Sequence, residues 1–190
     1  YCEPVLRLVQ GLPKWHGHLY NWYQIKPIAI LEPQYVSTVD SGNFFAHLIA
    51  LKNGLLALSD QPVFTAACID GLRDSLGAAG LDTQQIQDHF DTLEEWVRTL
   101  HVLQNTLDGT PTDQNWKRRL NRLYSGLLDD AEQFGRTGPW QEQKSLRQMA
   151  EAGNERAIAA ITRIEDLAGL ISHLVKDADF KVLYDRKHRL

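Results

Sequence analysis

The chain has 190 residues, 43% of them hydrophobic and 23% charged, with a formal net charge of −4. That length suits one domain able to bury roughly 70% of its unfolded surface. The acidic balance argues against a nucleic-acid or anionic-membrane surface, which needs a basic patch, and two cysteines, Cys2 and Cys68, frame neither a disulfide scaffold nor a metal site.

Taken in order, residues 1–16 are short and mixed. Pro4 and Pro13 are expected to break any long helix, and Val5 to Val9 fits a strand or one helical turn. Residues 17–40 carry Pro27 and Pro33 among aromatic and β-branched residues, and predict an extended loop with one short strand pair. The first clear helix follows, capped by Asp40 or Ser41, with Phe44, Leu48, Leu51, Leu55 and Leu58 on one face. Pro62 marks the first turn of a second helix with core positions Val63, Ala66, Ala67, Ile69 and Leu72. Asp82 or Thr83 opens a third, striped by Ile86, Phe90, Leu93, Val97, Leu100, Leu103 and Leu107. After the stop at Asp108-Gly109-Thr110-Pro111, a fourth helix uses Trp116, Leu120, Leu123, Leu127, Ala131 and Phe134. A fifth segment begins near Gln141, is interrupted at Gly153-Asn154 and continues through Ala157, Ile161, Ile164, Ala168, Ile171 and Val175 to about Lys176. The predicted class is all-α, a helical hairpin array with short connections. No run of about 18 apolar residues reads as a membrane span. No signal-peptide pattern opens the chain, which begins inside patterned sequence and is expected to be a piece of a longer protein.

The stretch from Gly17 to Asn43 stands apart chemically. It holds Tyr20, Trp22, Tyr23 and Tyr35 and closes on Ser37-Thr38-Val39-Asp40-Ser41-Gly42-Asn43. Aromatic faces beside short polar side chains suit a sugar, and aromatics with a few placed polar groups are the general form of a small-molecule pocket. The equal alternative is a loop pinned by its own aromatics. A helix N-terminus at the end of the stretch adds free N–H groups and a dipole able to hold a ligand oxygen.

The residues Gly17-His18-Leu19-Tyr20-Asn21-Trp22-Tyr23, then Leu31 to Asn43, then His47-Leu48-Ile49-Ala50-Leu51, closely resemble cyclic β-1,2-glucan synthases. Asp179-Phe180-Lys181-Val182-Leu183-Tyr184-Asp185 is similar to that family's "DF-x-FLYD" segment. The middle, Leu55 to Ala168, matches only as helical pattern. The resemblance implies very large, membrane-associated bacterial enzymes joining a glycosyltransferase, a glycosidase-like and a phosphorylase-like region, with the present chain at the start of the central glycoamylase-like one. It implies half of an (α/α)6 toroid, remodelling or cyclisation of β-1,2-glucan by transglycosylation, and a place at the cytoplasmic side of the inner membrane. Implied partners are the glucan and the parent's remaining domains. No cofactor or metal is implied. One departure is Gln24, where the family reads Asn-Trp-Tyr-Asp. Gln keeps hydrogen bonding and loses charge.

The expected organisation is 1–43 as an aromatic-rich segment, 44–178 as the helical domain and 179–190 as a lead into a downstream portion. The expected substrate contacts are Tyr20, Trp22, Tyr23, Tyr35, Asp40 and Asn43. Glycosidases need two carboxyl groups about 5–9.5 Å apart. Asp40 is the best catalytic candidate, but helix capping is as strong a role for it. Glu32 reads as a solvated turn residue, and Asp91, Glu94 and Glu95 as a wet helix face. The catalytic pair is therefore expected beyond Leu190. His16, His18, His47 and Asp40 follow no standard metal-ligand spacing, and Ser41 lacks the glycine pattern of a nucleophile elbow. The basic run Lys117-Arg118-Arg119 with Arg122 reads as a solvated helix face. A half toroid would leave apolar faces open to self-association, each exposed Leu forgoing about 2 kcal/mol. The alternatives are a non-catalytic helical scaffold inside a large carbohydrate enzyme, or a glucan hydrolase of related fold.

Overall fold

The computed structural model describes residues 2–135 and 138–184. Asp185 and the rest of the predicted C-terminal segment to Leu190 lie outside the described residues, as does Tyr1. The chain is mostly α-helical, with helices α1 (Cys2–Gly11), α2 (Thr38–Leu58), α3 (Ala66–Ala78), α4 (Leu93–Thr106), α5 (Gln114–Phe134), α6 (Leu146–Glu151) and α7 (Glu155–Asp177). Among the described residues, four short strands, β1 (Lys14–Trp15), β2 (His18–Leu19), β3 (Tyr23–Ile25) and β4 (Ile28–Ile30), form two separate antiparallel pairs. The chain divides into two compact units: residues 1–59 with 161–190, and residues 60–160.

In the first unit, α1 forms where Pro4 predicted a break. Pro4 sits in the first turn, where its missing N–H would have had no helical partner. Glu3 accepts from Arg7 one turn on and from Arg163 of α7. Two hairpins follow instead of the one expected pair. Lys14 pairs with Leu19, and Tyr23, Gln24 and Ile25 pair with Ile30, Ala29 and Ile28. α2 begins earlier than expected. Ser37, not Asp40 or Ser41, is its cap, with the hydroxyl accepting from the Asp40 N–H at 3.1 Å. The core of the unit joins Leu6, Phe45, Leu48, Ile171 and Leu174. Phe44, Leu51 and Leu55 pack against it half-buried, while Leu58, expected on the same face, is 54% exposed at the last turn of α2.

In the second unit, Pro62 lies ahead of α3 and bridges to Ser145, leaving Thr65 to open the helix. The segment from Asp82 to Thr92 is irregular rather than helical. Arg73 of α3 fastens it through Asp88 (2.9 Å) and the Gln87 carbonyl. α4 starts at Thr92, whose hydroxyl accepts from Glu95 N–H, and α5 starts at Asp113, whose carboxylate accepts from Asn115 N–H. The core takes in Phe64, Ile69, Leu72, Leu76, Phe90, Leu93, Trp96, Leu100, Leu103, Leu120 and Tyr124. Trp140 closes it, ring against Phe90 and Trp96, and its backbone N–H donates to the Asp91 carbonyl. α7 is one continuous helix whose residues up to Ala160 belong to this unit and whose residues from Ile161 belong to the first.

Candidate binding site in the first unit

The Gly17–Asn43 stretch is held from below by the end of α7. Gly17 adopts φ +84°, and a Cβ there would lie 2.1 Å from the Asp177 carbonyl oxygen, so only glycine fits. His18 is fully buried. Its Nε2 lies 3.1 Å from the Asp179 carbonyl oxygen, and its ring meets Phe45 and Phe180 edge-on. The Asp179 N–H donates to the His16 carbonyl. The two stretches that carry the family resemblance, far apart in the chain, are thus packed directly on each other.

Above this floor the named side chains divide. Trp22 and Tyr35 stack at 5.9 Å with an interplanar angle of 29°, and both are open to solvent at 48% and 53%. The stack is set by backbone pairing: Asn21 N–H donates to the Tyr35 carbonyl, and Leu31 N–H to the Trp22 carbonyl. Asn21 ties loop to helix. Its Oδ1 accepts from Ser37 N–H at 3.0 Å and its Nδ2 donates to Asp40 Oδ2 at 3.3 Å. Tyr20, Asn21, Asp40 and Ser41 line a cavity of about 270 Å³ floored by Phe44 and Phe45. Tyr20 and Tyr23 meet edge-on at 6.3 Å. The Tyr23 hydroxyl donates to the Pro13 carbonyl and accepts from Tyr20 N–H, and burial holds its phenol above the usual range. Tyr23 therefore braces the site with both sides of its hydroxyl engaged. Asn43 is exposed one turn along α2, and its carbonyl faces His47 Nδ1 at 2.6 Å.

Gln24 is exposed on β3, and its Nε2 donates to the Lys26 carbonyl at 2.9 Å. An Asp carboxylate has no proton to give there. Glu32 accepts from the Gln34 backbone and side chain, as a turn residue does. Glu94 accepts from Gly138 N–H and Glu95 from Asp91 N–H, so both serve the second unit's loops rather than a wholly wet face. Lys117 reaches the Asp108 carbonyl and Arg119 lies over Trp116, local contacts of α5. Among the described residues no three His, Cys, Asp or Glu side chains converge as metal ligands, and no helix is long and apolar enough to cross a membrane.

Asn21 is the residue that sequence reasoning missed. It was visible inside the motif, but only the fold shows it as the link between Ser37 and Asp40. Together these features define a helical protein bearing an open face of stacked aromatics, amide and carboxylate, chemistry suited to a polyhydroxylated ligand. The chain is 26% identical over 168 residues to cyclic beta-(1,2)-glucan synthase NdvB of Rhizobium meliloti (strain 1021). The match takes in 88% of this chain and spans 4% of that protein's length. No family model matches. The similarity supports a family-level relation to the cyclic β-(1,2)-glucan synthases, the family to which the opening motif pointed.

Proposed function

We propose that the first unit binds a segment of β-1,2-glucan, with Trp22 and Tyr35 as the stacking platform and Asp40, Asn21 and Tyr20 as hydroxyl partners. The observation that carries this reading is the solvent-open Trp22–Tyr35 stack beside the Asn21–Asp40 pair. The long similarity to a protein named as a cyclic beta-(1,2)-glucan synthase supplies the ligand class. In this reading the chain is part of a bacterial synthase's glycosidase-like region and contributes to transglycosylation and cyclisation. Residues 1–43 present the ligand surface, 44–178 form part of an (α/α)6 toroid, and the segment from 179 leads towards catalytic carboxylates elsewhere in the parent. The parent's other domains are its partners, at the cytoplasmic side of the inner membrane. Asn43 extends the surface by one turn of α2, and Asp40 acts by holding hydroxyls, since its carboxylate already accepts from Asn21.

The test is calorimetric titration of the chain with linear β-1,2-glucan. Binding is expected for the wild type and is expected to be lost in Trp22→Ala and Asp40→Ala, with circular dichroism unchanged. A folded protein that gives no heat rejects the reading. A second reading, a scaffold within a large carbohydrate enzyme, is favoured by one observation. Gly17 and His18 of the motif are fixed into the core by α7 and Phe180 rather than presented outward.

A further inference from the structure

A second cavity, of about 360 Å³, adjoins the first through Tyr20. Its wall holds the Trp15 indole, Gln34 and Thr38, and its apolar side is closed by Val36 with Val182 and Leu183 of the turn after α7. Trp15 is partly exposed and held edge-on by His16 at 4.8 Å. Gln34 is anchored at one end, its Nε2 donating to Glu32, which leaves the amide oxygen as an acceptor. Among the described residues neither the Thr38 hydroxyl nor the Tyr20 hydroxyl has a partner.

Like the first cavity, the second joins aromatic rings to an amide and hydroxyls, but its Gln34 amide oxygen is open whereas Asn21 in the first is bonded at both ends, and the charge differs. The first contains the Asp40 carboxylate, and the second contains no ionisable side chain except the Tyr20 phenol. Each volume is near the lower end of the range of about 300–1,000 Å³ usual for small-molecule sites, so each suits one sugar ring rather than several.

We infer that the second cavity is a distinct, uncharged glucosyl subsite, so that the surface reads a chain of at least two linked units rotated about Tyr20. The inference rests on the reading of the first unit as a glucan-binding surface. Trp15, Gln34 and Thr38 are its specificity residues. The carboxylate subsite takes one ring by hydrogen bonding beside the Trp22–Tyr35 platform, and the neutral subsite takes its neighbour on the Trp15 face, where burial of the ring's C–H face adds to the binding.

The experiment is an NMR titration of the full chain with glucose, then with the β-1,2-linked disaccharide and trisaccharide. Affinity is expected to rise about tenfold or more from one unit to two, the scale on which a well-stacked ring contributes. Trp15→Ala and Gln34→Ala are each expected to cancel that gain and leave glucose binding in place. If Trp15→Ala fails to fold, Gln34→Ala, an exposed loop change, decides. Glucose binding with no dependence on length, or a gain that survives both substitutions, overturns this inference and leaves the Asp40 surface standing. Absence of binding at every length overturns both.

Discussion

Replacing Gly17 by alanine drives a methyl group into the backbone at the end of α7, where nothing flexible yields. The left-handed φ adds its own strain of about 1 kcal/mol or more. Gly17→Ala is therefore expected to destabilise the first unit by roughly 3 kcal/mol or more, read as a lower urea midpoint with an unchanged slope. At this scale the sequence was legible in parts. The aromatics of the opening stretch were conspicuous, and two of them, Trp22 and Tyr35, do lie open to solvent. Their mutual stacking, the bracing role of Tyr23 and the Asn21 link were not legible, because each depends on a contact made across a hairpin or loop. The cap of α2 was misplaced for a simpler reason. Ser37 and Asp40 satisfy the same cap chemistry three residues apart, and only the backbone shows which one turns.

At the scale of elements, α1 is fastened to α7 by a carboxylate shared between two guanidinium groups. Hydrogen bonds from Arg7 first, and then from Arg163, hold the Glu3 carboxyl below its ordinary value of 4.5. A carboxyl lowered in the folded state stabilises it above the unfolded pKa, and that contribution fades as pH falls through the folded value. Glu3→Gln is thus expected to lower the melting temperature at pH 7, with the difference from wild type closing as pH drops below 4.5. A gap that persists at low pH would assign the effect to packing. The same scale shows where periodicity succeeds. The α4 row Leu93, Leu100, Leu103 and the α5 row Leu120, Ala131 are buried where the spacing put them. Trp96, one row over from the predicted Val97, proved wholly buried, because Phe90 and Trp140 meet it from outside the helix. Ile86 and Phe90 fit a helical stripe, yet lie in irregular chain. Spacing reports which residues face the core, and Arg73 rather than helical hydrogen bonding holds that segment.

At the scale of the molecule, each unit has its own core, and the residues of α7 are shared between the two units. Leu100→Ala is expected to cost the second unit about 2–5 kcal/mol, since it removes a fully buried side chain. Hydrogen exchange should then accelerate along α4 and α5 while amides around Leu48 stay protected. Equal loss of protection in both would show the units to be one cooperative body. The sequence predicted one helical domain because hydrophobic period does not record which stripes share a core. The discontinuity of the first unit also sets an order of events during synthesis. The second unit is a single run and is complete as soon as it is made. The first must wait, since Leu6, Phe45 and Leu48 meet Ile171 and Leu174 only after about a hundred further residues. At about 5–20 residues per second, that interval is on the order of 5–20 s. Through it the opening motif has neither its floor at Asp177 nor Phe180 against His18. Within this stretch the opening motif is made before the second unit and completes its packing only after it.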